Sequence, residues 1–285
     1  MILENMKTAF RLIRSRYAEL QLQAGRLENV GFSGLWTIVR GTREQSGLAF
    51  AFNREHAVYG AVDIQPLLSL RTFVGKSMFD LAEHLLDEDA LILNSALVAT
   101  MNALTRPLVL GERLNANYGP CVYRPRGGDW LDFIRPDDMV TMVGFGPVGD
   151  ILRHVKSCCV CDLRPESALR TISVGKRTEY GPKGVRLCGA SETKDVLGSS
   201  SVVLITGCTL VNGTLEDLIA WSAGARVVGL YGWSAGILPE FLSGLGINYI
   251  SANQILRVPE FYRAAVDGLK SDWMADNSFS YCMKM

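Results

Sequence analysis

A chain of 285 residues, 48% of them hydrophobic, can bury a large core and has the length of two domains. Its 29 basic residues balance 29 acidic ones and gather in no block, which excludes an electrostatic footprint for nucleic acid. No apolar run reaches the roughly 18 residues of a membrane span, the first residues lack an apolar signal region, and the seven cysteines follow no framework spacing, so the expectation is a cytoplasmic protein with reduced thiols and no membrane partner.

Residues 4–24 place Phe10, Ile13, Tyr17 and Leu20 at helical spacing and predict an amphipathic helix. Its Arg11, Arg14 and Arg16 read as a solvated face or the edge of a homodimer. LWTIVRG (35–41) and GLAFAFN (47–53) predict strands joined by the turn TREQS. Ser77 is the N-cap of a helix over 77–87, and 89–107 forms a longer buried helix that ends before Pro107. Strands followed by helices make residues 1–110 a small α+β domain. Residues 111–138 are rich in Gly, Pro, Asn and aromatics and read as an interdomain segment. Its Tyr118, Tyr123 and Trp130 are candidates to line a site, Tyr118 as a substrate contact.

From residue 139 the pattern alternates. Short apolar strands at 139–143, 158–162, 185–189, 201–206, 226–232 and 247–251 are separated by helices at 191–198, 214–223 and 236–244. This predicts an α/β domain over 139–285, a Rossmann-like doubly wound parallel sheet of order 3-2-1-4-5, shorter than a full dinucleotide fold.

Ligands of such sheets bind beyond the carboxyl ends of the strands, where strand order reverses. VGFGPVGD (143–150) has G-x-G-x-x-G spacing between a strand and a helix. Gly144 permits the tight turn, Gly146 lets a ligand approach the backbone beside Phe145, and Gly149 lets the helix pack closely. Asp150 at the helix start favours an uncharged or cationic group over a pyrophosphate. Asp162, 18 residues after Gly144, stands where an acidic side chain bonds ribose hydroxyls, or is simply the turn Asp before Pro165. After the fourth strand, Thr206, Gly207, Cys208, Thr209, Asn212, Gly213 and Thr214 face the glycine loop across the crevice. They orient a polar ligand without charge, and helix capping by Asn212 or Thr214 explains only part of the set. YGWSAGILPEF (231–241) brings Trp233 and Ser234 to the same edge, Trp233 as a lid or as a partner for an adenine or a sulfonium. CCVC (158–161) reads as buried small hydrophobes: Cys159 and Cys161 share a face, Cys158 points away, and no C-x-x-C pair or neighbouring His completes a metal set. His56, His84 and His154 are scattered, with no Ser-His-Asp arrangement.

LITGCTLVNGTLEDLI resembles the T-G-T-T-L-[IV]-N-G-T-L signature of the heavy-metal chelation family. LNSALVATMNAL resembles the helix that ends the family's first domain, and SGLAFAF resembles its G-[LV]-A strand. The resemblance implies an enolase N-terminal-like domain ahead of the Rossmann-like one, with a site between them, and makes Asn94, Asn102, Thr206, Thr209 and Asn212 site candidates. Two departures fall at the ligand edge. GWSAGI stands where the family has G-P-S-T-P-L, and Gly144-Phe145 stands where it often has a histidine. Both bring the first loop closer to a nucleotide or S-adenosylmethionine fingerprint.

The leading expectation is therefore an S-adenosylmethionine-dependent enzyme, a transferase or cyclase acting on a small molecule. Gly144, Phe145, Gly146, Gly149, Asp162, Gly207 and Ser234 would hold the cofactor, with Thr206, Thr209, Asn212 and Trp233 at the reacting centre and Asn94, Asn102 and Tyr118 toward the substrate. The alternatives are a protein that binds a heavy-metal ion or chelate, and an NAD-linked oxidoreductase.

Overall fold

The computed structural model describes residues 2–33, 35–53, 56–165, 169, 171–174, 177–180, 184–256 and 277–285. The first helix, α1 (Ile2–Glu19), buries Phe10, Ile13 and Tyr17. It ends earlier than its spacing predicts. Gln21 turns the chain at a φ of 51°, leaving Leu20 exposed. Strands β1 (Leu27–Ser33), β2 (Trp36–Gly41) and β3 (Ser46–Phe50) form an antiparallel sheet in that order. The sequence gives little sign of β1, because Glu28, Asn29 and Gly31 are weak strand formers. Pairing with β2, across an irregularity between Leu27 and Asn29, overrides that local preference.

Short helices α2 (His56–Tyr59) and α3 (Gln65–Ser69) follow. Helix α4 (Met78–Leu85) starts at the predicted cap: the Ser77 hydroxyl accepts from Phe79 N and Asp80 accepts from Ser77 N, a reciprocal capping box. Helix α5 (Leu91–Val109) is buried along almost its whole length, as an all-round apolar helix must be. It runs through Pro107 instead of stopping before it. The lost donor falls in the last turn, and Arg106 pins that turn by donating to the carbonyls of Ile255 (2.8 Å) and Leu256 (3.3 Å). Strand β3 lies directly on α5. A Cβ on Gly47 would stand 2.0 Å from the Ala99 carbonyl oxygen, so the small residues of SGLA set the distance between strand and helix.

Helix α6 (Glu112–Tyr118) and β4 (Val122–Tyr123) lie in the segment that reads as a linker. Then come β5 (Val140–Val143), α7 (Val148–Ile151), β6 (Cys158–Cys161), the separate hairpin β7 (Thr171–Val174) and β8 (Arg177–Tyr180), and β9 (Val185–Cys188). Helix α8 (Ala190–Gly198), β10 (Val202–Thr206), α9 (Thr209–Asn212), α10 (Leu215–Trp221), β11 (Val227–Gly232), α11 (Pro239–Gly244), β12 (Tyr249–Ile255) and β13 (Ser278–Lys284) complete the chain.

The large sheet runs β4-β13-β12-β11-β10-β5-β6-β9. Its six parallel strands, from β9 to β12, have the order 3-2-1-4-5-6. The parallel core thus matches the full doubly wound pattern and exceeds the shorter sheet expected. The antiparallel β13 and β4 extend one edge. One face of the sheet shares a continuous apolar core with α1, α4, α5 and the β1–β3 sheet through Val143, Val203, Ile205 and Leu230. The other face, with Val140, Met142, Val160 and Leu204, packs on Leu131 and Ile134. Much of 111–138 is therefore a packed layer and a strand. No helix among the described residues is long and apolar enough to cross a membrane.

Candidate functional site

Strands β5 and β10 are neighbours and their chain connections leave in opposite directions, which makes the gap beyond their carboxyl ends the switch point. A cleft of about 350 Å³ opens there. The loops after β5 and β10 form its floor, and Phe50, Phe52 and Tyr59, from the end of β3 to α2, form the facing wall. The wall is a run of edge-to-face rings, with centroids 4.9 Å apart for Phe50–Phe52 and 4.7 Å for Phe52–Tyr59. Phe52 is buried and holds a φ of 55°. Left-handed backbone at a bulky residue costs of order 1–3 kcal/mol and gathers at ligand clamps.

The glycine loop is filled largely by the protein itself. Gly144 has a φ of 81°, and a Cβ there would stand 2.8 Å from Thr206 Cγ2. A Cβ on Gly146 would stand 2.7 Å from the Tyr231 hydroxyl oxygen, so the ring of Tyr231 covers the backbone that a pyrophosphate would approach. That hydroxyl donates to the Gly144 carbonyl at 3.0 Å, and burial raises its pKa. Nothing lies within 4 Å of a Cβ on Gly149. The close helix packing expected of the third glycine is missing because α7 is only four residues long. The Asp150 carboxylate accepts from Trp130 Nε1 at 2.9 Å and pairs with Arg153 at 3.1 Å.

Asp162 lines the cleft, but its oxygens are engaged. Oδ2 accepts from Phe145 N and Arg164 Nη2, both at 2.8 Å, and Oδ1 from Arg164 N at 2.9 Å and Nε at 3.0 Å. Burial pushes this carboxyl up. The bonds from Arg164 and Phe145 outweigh burial and hold its pKa below the usual range. A ribose at this position has to compete with Arg164.

The loop after β10 is built differently. Gly207 packs against the loop after β11: a Cβ there would stand 2.5 Å from Ala235 N. Thr209 Oγ1 donates to the Thr206 carbonyl at 2.7 Å. Asn212 reaches across the cleft to α2, donating from Nδ2 to the Tyr59 hydroxyl at 2.7 Å, while its Oδ1 accepts from Thr214 Oγ1 at 2.9 Å. Thr206, Cys208, Thr209, Asn212 and Thr214 all face the cleft. Burial raises the pKa of Cys208, which keeps it a thiol.

The other sequence candidates lie outside the cleft lining. Ser234 Oγ accepts from Phe50 N at 3.0 Å, and Asn102 Nδ2 donates to the Leu48 carbonyl at 2.8 Å and the Trp233 carbonyl at 3.3 Å; both tie the loop after β11 to β3 and α5. Trp233 stands edge-on to Trp36, ring centroids 6.5 Å apart. Asn94 is buried in α5. The Tyr118 hydroxyl donates to Glu240 at 3.0 Å. Sequence reading missed Phe50, Phe52, Tyr59, Trp221, Arg164 and Tyr231 as lining residues. The AFAF repeat was the available signal, two large rings placed two residues apart and so on one strand face.

Among the described residues no three His, Cys, Asp or Glu side chains gather as a metal-holding group. With Asp162 committed to Arg164, the oxygen donors of the cleft do not gather around a hard metal ion.

Two family models, both described as "Putative heavy-metal chelation", match the chain: DUF4213 over residues 16–105 and DUF364 over 129–283. The chain belongs to this family. The resemblance read from LITGCTLVNGTLEDLI is borne out. Two solved structures share the fold of this family member. A DUF364 protein of unknown function from Pyrococcus horikoshii has 17% identity and a TM-score of 0.68, covering 100% of both chains. Another from Desulfitobacterium hafniense DCB-2 has 14% identity and a TM-score of 0.70, covering 100% of this chain and 98% of that one. No curated protein matches the sequence.

Proposed function

We propose that this family member is an enzyme that binds S-adenosylmethionine in the interdomain cleft and promotes alkyl transfer from it to a small molecule, or its intramolecular cyclisation. The cleft itself carries this reading: a nucleoside-sized space at the switch point, walled by the rings of Phe50, Phe52 and Tyr59, with the uncharged Thr206, Thr209, Asn212 and Thr214 on its floor beside the paired Asp162 and Arg164 and the carboxylate of Asp217. Aromatic faces stabilise a cation such as a sulfonium. The hydroxyls and amide of Thr206, Thr209 and Asn212 fix orientation without adding charge. When bound, the cofactor supplies an activated carbon on sulfur, and its transfer needs little acid–base help. The protein's part is to position the ligand and exclude water. Burial keeps Cys208 and Tyr231 protonated, which suits that role better than general-base work. Calorimetric titration with S-adenosylmethionine, S-adenosylhomocysteine and methylthioadenosine tests the reading, and absence of binding by all three defeats it.

The family description favours a second reading, a ligand that is a heavy-metal chelate. A chelate brings its own donors, so it too suits an aromatic cleft. Metal content of protein purified without chelators, and its loss in Asn212→Ala, separates the two. The NAD-linked alternative has less support, because Tyr231 covers Gly146 and the short α7 gives little dipole for a pyrophosphate. Fluorescence titration with NADH checks it.

A further inference from the structure

Cys161 on β6 and Cys188 on β9 are direct partners in a parallel pairing, so their side chains stand next to each other on one face of the sheet. Both are buried in the same apolar cluster, while Cys158 and Val160 pack on the opposite face. Cys188 and the Thr193 hydroxyl both act on the ionisation of Cys161. Cys161 and Thr193 line the cleft, which gives a route in from solvent.

The spacing decides what two such thiols can hold. Neighbouring strands lie about 4.8 Å apart, and side chains leaving the same face in register keep nearly that separation. A disulfide needs its sulfurs about 2.05 Å apart and its Cβ atoms about 3.8 Å apart, which would draw two central sheet positions together. A linear S–metal–S unit with metal–sulfur bonds of about 2.3 Å spans about 4.6 Å, which the strands supply without moving.

We propose that Cys161 and Cys188 form a two-coordinate site for a soft, thiophilic d10 cation, with Hg(II) as its best-fitting member. Binding releases both thiol protons and forms two metal–sulfur bonds. No redox partner is required. A divalent ion then leaves a neutral bis-thiolate, which an apolar site accepts, whereas a monovalent ion leaves a buried negative charge. No third His, Cys, Asp or Glu converges among the described residues, which disfavours the tetrahedral ligand set of zinc. Burial raises the pKa of both thiols, that of Cys188 to about 12, so the empty pair stays protonated and resists oxidation until a metal displaces the protons. The site does not depend on how the cleft ligand is identified.

The test loads the full-length reduced protein with Hg(II), removes loosely held metal by gel filtration in excess glutathione, and counts the mercury retained. The site predicts a single retained ion for the wild type, none for Cys161→Ser or Cys188→Ser, and a single ion for Cys121→Ser and Cys282→Ser. X-ray absorption on the loaded wild type, which needs no variant to fold, must show two sulfur neighbours in a linear arrangement. Loss of all mercury to glutathione by the wild type, retention by Cys188→Ser, or three or more sulfur neighbours overturns the proposal.

Discussion

The loops after β5 and β10 face each other across one crevice, yet they use glycine in opposite ways. In the first loop, Gly144 and Gly146 accommodate the protein's own Thr206 and Tyr231, and the carboxylate expected to hold a ribose already accepts from Phe145 and Arg164. In the second loop, Gly207 lets the β11 loop pack against its backbone, and the residues that follow turn their side chains into the cleft. A spacing motif marks where backbone is approached closely. It does not say whether a ligand or the protein makes the approach.

Substitutions at the glycines probe this contrast with the largest expected effects. Gly207→Val places atoms against the backbone of Ser234 and Ala235, which cannot yield as a flexible side chain could, and should cost about 3 kcal/mol or more in a urea melt. Gly146→Ala meets Tyr231 and should cost about 1–3 kcal/mol, part of it recovered when Tyr231→Phe removes the hydroxyl. An unaltered melting curve for Gly146→Ala would mean the loop is open to a ligand after all.

Asp162→Asn comes next. Removing the charge that Arg164 and Phe145 surround should cost about 1.5–3 kcal/mol near neutral pH. The sign of the pH dependence follows from the depressed pKa of Asp162. Its contribution is fully present above the unfolded Asp value of about 3.9 and is lost as pH falls through the lower folded value. The gap between wild type and Asp162→Asn in acid melts should therefore close below that range.

The cleft wall gives a smaller effect. Phe52→Ala should weaken S-adenosylmethionine binding about 2- to 30-fold, the range of a cation–π contact of about 0.5–2 kcal/mol. Phe52→Gly should bind as weakly but melt higher than Phe52→Ala, because glycine relieves the positive φ. The smallest effects belong to Gly149 and Trp233, which stand outside the cleft lining. Gly149→Ala, with open space around it and a helical backbone, should leave binding unchanged and gain up to about 1 kcal/mol of stability. Trp233→Ala, outside the lining, should leave ligand affinity unchanged in the same titration.

The sequence made the alternating strands and helices after residue 139 legible, because buried parallel strands are short, apolar and spaced by helices. It also placed the two crevice loops correctly across from each other. It hid β13, although Phe279, Tyr281 and Met283 alternate in SFSYCMK, because that strand pairs antiparallel with β12 and follows no helix-crossover rhythm. It marked two rings of the cleft wall through the AFAF repeat, but no local pattern reports which loops Phe50, Phe52 and Tyr59 face, because those loops lie far along the chain. The Cys161–Cys188 pair was invisible for the same reason. Each cysteine reads locally as a small buried hydrophobe, and only the register of β6 against β9 brings them together.

Titration calorimetry of the wild-type protein with S-adenosylmethionine, with Phe52→Ala alongside, tests the role of the cleft most directly. Saturable binding at one site per chain that weakens in Phe52→Ala, with no binding of NADH, is the predicted result. No heat of binding from S-adenosylmethionine, S-adenosylhomocysteine or methylthioadenosine would contradict it.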